Sequence, residues 1–87
     1  MASNATHPRP DQDRALADLA PGTTAVVTRV DASSPIGRRL LDLGFVPGTR
    51  VKVLRRAPLG DPVVYELRGT QLCLRRSETL RIRVGPE

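Results

Sequence analysis

Val63-Val64-Tyr65-Glu66-Leu67-Arg68-Gly69-Thr70-Gln71-Leu72-Cys73-Leu74-Arg75 is the stretch on which the fold turns. Val63, Tyr65 and Leu67 recur at a period of two, as do Leu72 and Leu74, so each run lays its apolar side chains on one face of a strand. Between them Gly69-Thr70 reads as a two-residue turn with glycine first, the type II′ pattern. The segment therefore predicts a β-hairpin with strands over 63–68 and 71–75, its leucines inward.

Working outward, the same alternation continues on both sides. Downstream, residues 77–79 form a short turn, after which Leu80, Ile82 and Val84 point inward and Arg81 and Arg83 outward. Upstream, Ala57-Pro58-Leu59-Gly60-Asp61-Pro62 is too rich in turn formers to be strand and makes a long hairpin tip. Before it, 49–56 alternates, with Val51 and Val53 inward and Arg50 and Lys52 outward. The segment 24–30 is β-branched at Thr24, Val26, Val27, Thr28 and Val30 and reads as the first strand.

One helix interrupts the strands, predicted over 35–43. Ser34 is its N-cap, Pro35 its first residue and Gly44 its terminator. Ile36, Leu40, Leu41 and Leu43 form the expected core stripe, leaving Arg38, Arg39 and Asp42 toward water. Five short strands with one short helix after the first make an all-β fold, best completed by closing into a small antiparallel barrel that leaves no exposed edge. The domain is expected over 15–87. Residues 1–14 carry no apolar period and read as a disordered leader.

The totals narrow the function. Eighty-seven residues fit one domain, and with Phe45 and Tyr65 as its aromatics the core must be aliphatic. The formal charge is +5: residues 1–49 hold five bases and five acids, whereas 50–87 hold nine bases against Asp61, Glu66, Glu78 and Glu87. One cysteine cannot close an internal disulfide, the first twenty residues lack a signal-peptide core, and no run approaches the length of a membrane span, so a cytoplasmic protein without direct membrane insertion is expected. Cys73, between two inward leucines, should be a buried or half-buried inert thiol, and His7 a solvated residue of the leader. Two solitary ligands make no metal site, and no nucleophile–base pair or glycine-rich phosphate loop suggests catalysis or a cofactor.

The order Pro21-Gly22, then Arg39-Leu40-Leu41-Asp42-Leu43-Gly44-Phe45-Val46-Pro47-Gly48-Thr49, then Ala57-Pro58-Leu59-Gly60-Asp61-Pro62, then Gly69 and Leu72-Cys73-Leu74-Arg75 resembles the ferrous iron transport protein A family, FeoA. The resemblance spans about 16–84. It implies an SH3-like barrel that supports or regulates ferrous iron uptake by docking on a membrane transporter with a cytoplasmic GTPase domain, FeoB. The same module resembles the C-terminal domain of iron-dependent metalloregulators of the DtxR type, but a helix-turn-helix region before it is not expected here. The docking surface is expected on Arg38, Arg39, Phe45, Pro58, Leu59, Gly60 and Asp61, because loops on a rigid barrel commonly carry recognition. Phe45 is read two ways, as core plug or exposed anchor. A small basic barrel that binds nucleic acid or acts as a metalloregulator-like module is the alternative; nucleic acid is disfavoured because such binders offer aromatic platforms for base stacking.

Overall fold

The computed structural model describes residues 14–87. A two-residue strand β1 (Arg14–Ala15) leads into a 3-10 turn (Leu16–Asp18), followed by β2 (Thr24–Val30), α1 (Pro35–Leu43), β3 (Arg50–Arg56), β4 (Val63–Leu67), β5 (Thr70–Leu74), α2 (Arg76–Thr79) and β6 (Ile82–Pro86). The strands form one antiparallel sheet in the order β1-β6-β2-β3-β4-β5. The all-β class and the helix after the Thr24–Val30 strand are as the sequence predicts. The hydrogen-bonded ring is not closed: β1 and β5 remain as edges.

Two bulges curl the open sheet around its core. Thr28 is the extra residue where β2 meets β6, and Leu54 where β3 meets β4. Each bends its strand and raises the local twist, so the concave faces of all the longer strands converge on one apolar centre. Val27, Val51, Val53, Tyr65, Ile82 and Val84 are at most 1% exposed there. Leu16 from the 3-10 turn, Leu40 from α1 and Phe45 cap it, each at 0%.

Several local expectations shift. The β4–β5 turn sits one residue earlier, on Arg68-Gly69, since Leu67 pairs with Thr70. Both central residues have positive φ, 53° and 79°, which is the type I′ geometry whose twist matches the flanking strands. Residues 76–79 form a helical turn, not a bend, so Leu80 leaves the last strand and is 47% exposed. Arg81 and Arg83 are half-buried, not outward, and the Arg81 Nε is buried without a hydrogen-bond partner among the described residues. Cys73 is exposed, because it points away from the core on an edge strand that nothing covers. Arg14, assigned to the leader, pairs with Val84 in β1. The remainder of the leader, His7 included, lies outside the described residues.

Candidate functional site: the α1, α2 and hairpin-tip face

The seating of α1 begins with its cap. The Ser34 hydroxyl accepts a hydrogen bond from the Gly37 amide at 3.0 Å, and Gly44, at φ 117°, ends the helix by donating to the Leu40 and Leu41 carbonyls. Against the sheet the helix presents Gly37, Leu40, Leu41 and Gly44, spaced i, i+3, i+4, i+7. Gly37 and Leu40 are buried and Leu41 is half-buried. Gly37 permits this because a Cβ there would lie 1.6 Å from the Asp31 carbonyl oxygen, and one on Gly44 would touch Leu67 at 3.0 Å. The helix is therefore rotated toward its glycines, leaving Ile36 and Leu43, expected in the core stripe, each 37% exposed.

The α2 turn is the junction of this face. Its start is held by carboxylates: Glu78 accepts from the Arg75 amide at 3.0 Å, and Asp61 from the Arg76 amide at 2.8 Å. Glu78 also pairs with Arg39 of α1 at 3.0 Å, and Arg75 reaches Asp61 at 3.9 Å. Arg76 turns back to the 3-10 turn, donating to the Ala17 carbonyl at 3.1 Å and pairing with Asp18 at 2.9 Å. Below these exposed pairs the buried Thr79 hydroxyl donates to the Arg75 carbonyl at 3.4 Å, and the Tyr65 phenol is pushed above its usual 10.0 chiefly by burial, the hydroxyl of Thr79 opposing.

The hairpin tip is a tight turn in which the Gly60 amide donates to the Ala57 carbonyl at 2.7 Å, and the Asp61-Pro62 peptide is cis. Pro58, Leu59 and Gly60 are exposed, Leu59 at 96%. Of the expected site residues, Arg39 and Asp61 are thus brought together through α2. Arg38 turns the other way, onto the Ala32 carbonyl at 3.3 Å. Phe45 does not belong to the surface: it is wholly buried, since the Gly44 reversal drives it under α1, where its amide donates to the Leu40 carbonyl at 3.1 Å. Sequence reasoning missed Ile36, Leu43 and Leu80 as surface residues; the readable signal was the Gly37, Leu40, Gly44 spacing.

The FeoA domain profile matches residues 14–86, nearly all of the chain. The chain belongs to the FeoA family. A FeoA-like protein from Clostridium acetobutylicum has the same fold, with TM-score 0.81 and 32% identity over 86% of this chain and 87% of that one. A zinc complex of FeoA from Stenotrophomonas maltophilia, described as a procaryotic SH3 domain protein, superposes with TM-score 0.71 at 38% identity over 79% of this chain and 86% of that one. The SH3-like architecture is therefore that of FeoA proteins. A protein of Porphyromonas gingivalis named Fe(2+) transport protein A/Fe(2+) transporter FeoB fusion protein is 38% identical over 69 residues, which are 79% of this chain and 8% of that much longer protein. Among the described residues of this chain no group of three or more His, Cys, Asp or Glu could hold a metal ion, and no helix is long and apolar enough to cross a membrane.

Proposed function

We propose that this FeoA domain is a non-catalytic cytoplasmic accessory module that docks through the α1, α2 and hairpin-tip face on a FeoB-type membrane transporter with a GTPase domain. The observation that carries the reading is the apolar side chains left outside on this face. Ile36 and Leu43 flank Arg39 on α1, Leu80 directly follows α2, and Leu59 stands at the tip. Clustered exposed apolar residues rimmed by charge are the usual mark of a protein contact. The Porphyromonas gingivalis fusion supports the choice of partner, because there a FeoA segment and a FeoB transporter share one chain.

Docking alone changes no equilibrium. To support or regulate uptake, the domain must bind two states of the transporter with different affinity, and the effect equals that difference. Nucleic acid is a weaker partner, since Phe45 and Tyr65 are 0% and 1% exposed and offer no stacking surface. The deciding experiment is co-precipitation of the full chain with the isolated GTPase domain and with the whole transporter, with and without guanine nucleotide. Retention by neither overturns the reading; nucleotide-dependent retention supports it.

A further inference from the structure

A concave feature at the other end of the sheet's loops shares no residue with the docking face. A cavity of about 690 Å³ opens where the start of β3 and the end of β4 meet the 46–49 loop and the Arg68-Gly69 turn. Arg50, Lys52 and Arg68 line it, with Val46 and Pro47 as its apolar side, and Glu66 and Glu87 as its acids.

Three features of this lining point to carboxylate recognition. Arg50 Nε already holds the Glu87 side-chain carboxylate at 3.0 Å, so the groove seats such a group in its own chain. The Lys52 side chain, beside it, has no hydrogen bond or ion pair among the described residues, although Glu66 is its register partner on β4. Arg68 occupies a left-handed turn position, φ 53°, where Asn or Gly is favoured. Its guanidinium nevertheless reaches into the groove, 3.4 Å from the Thr49 hydroxyl. A residue held in an unfavourable conformation, with its charge aimed at a cavity, suggests recognition.

We propose that this groove binds an acidic, extended peptide segment of a partner protein, its carboxylates taken by Arg50, Lys52 and Arg68, and that Glu87 acts as an internal competitor for Arg50. Charge complementarity favours this occupant. The groove offers no aromatic stacking surface for nucleic-acid bases.

The test titrates the full chain, labelled with 15N, with a hexaglutamate peptide at near-physiological salt, and with pyrophosphate in parallel. The expected result is a saturable set of shifts confined to Thr49, Arg50, Lys52 and Gly69. Lys52→Glu should weaken binding about tenfold, and Glu87→Gln should strengthen it about two- to fivefold, as for release of an exposed ion pair. Lys52→Glu with Arg68→Asn should abolish it while leaving the melting temperature near that of the parent. Equal affinity in the parent and Lys52→Glu, shifts scattered over basic residues outside the groove, or tighter binding of pyrophosphate than of peptide at these residues would each overturn the proposal. The transporter is absent from this experiment, so its outcome is independent of the docking reading.

Discussion

The Asp31 carbonyl oxygen occupies the space in which any side chain on residue 37 would begin, a Cβ on Gly37 lying 1.6 Å from it. In an exposed helix interior, Gly→Ala gains about 1 kcal/mol from propensity. Here the sign reverses. Gly37→Ala must push α1 off the β2–α1 loop against rigid backbone and should cost about 3 kcal/mol or more. Gly60→Ala, at φ 92° but with open space around it, should cost only about 1–2 kcal/mol. Urea unfolding of both variants checks the ranking.

Leu40 and Leu43 lie one turn apart on α1 but at 0% and 37% exposure. Leu40→Ala should lose about 2–5 kcal/mol. Leu43→Ser and Ile36→Ser should stay within about 1 kcal/mol of the parent and instead weaken retention of the transporter. Thermal melts paired with co-precipitation separate the two effects; a melting loss in Leu43→Ser as large as that in Leu40→Ala would place Leu43 in the core.

The Arg39–Glu78 pair is exposed on its arginine side, 63% against 19%, so it contributes at most about 1 kcal/mol. Arg38→Glu with Arg39→Glu should remain folded, while association with the transporter slows and loses salt dependence. Leu59→Ser should act on dissociation, because it removes an apolar contact without changing charge. If both variants restore ferrous uptake as well as the parent does in cells lacking this protein, the docking face lies elsewhere.

Asp31 and Tyr65 each make stability depend on pH. Hydrogen bonds from the Ser33 hydroxyl and amide, at 2.6 and 3.0 Å, hold the Asp31 carboxyl below its ordinary 3.8. A depressed carboxyl adds stability above its unfolded value and loses it as pH falls through the folded one. The acid limb should therefore fall below pH 3.8, and Asp31→Asn should flatten it. Tyr65 is the converse: its phenol is raised above 10.0, chiefly by burial, so stability should decline as pH rises past 10.0, and Tyr65→Phe should remove that decline. Chemical denaturation across pH reads both limbs.

Features fixed within a few residues were legible before any fold was known. The alternation in 50–56 and 63–74 placed the strands, because a period of two has one burying solution. Ser34, Pro35 and Gly44 bounded α1 to the residue, because caps satisfy backbone groups locally. The order of motifs was sufficient to identify the FeoA resemblance. Tertiary structure decided everything that depends on a distant neighbour. The rotation of α1 followed from the Asp31 carbonyl meeting Gly37, which an apolar stripe does not register. The helical turn at 76–79, and with it the exposure of Leu80, depended on Asp61 reaching the Arg76 amide across fifteen residues and Arg39 reaching Glu78 across thirty-nine. Phe45 went inward, and Cys73 outward, because the first lies beneath a helix and the second on an edge that no strand covers. Local backbone chemistry is written in adjacent residues; which face of an element is covered is set by packing among segments far apart in the chain.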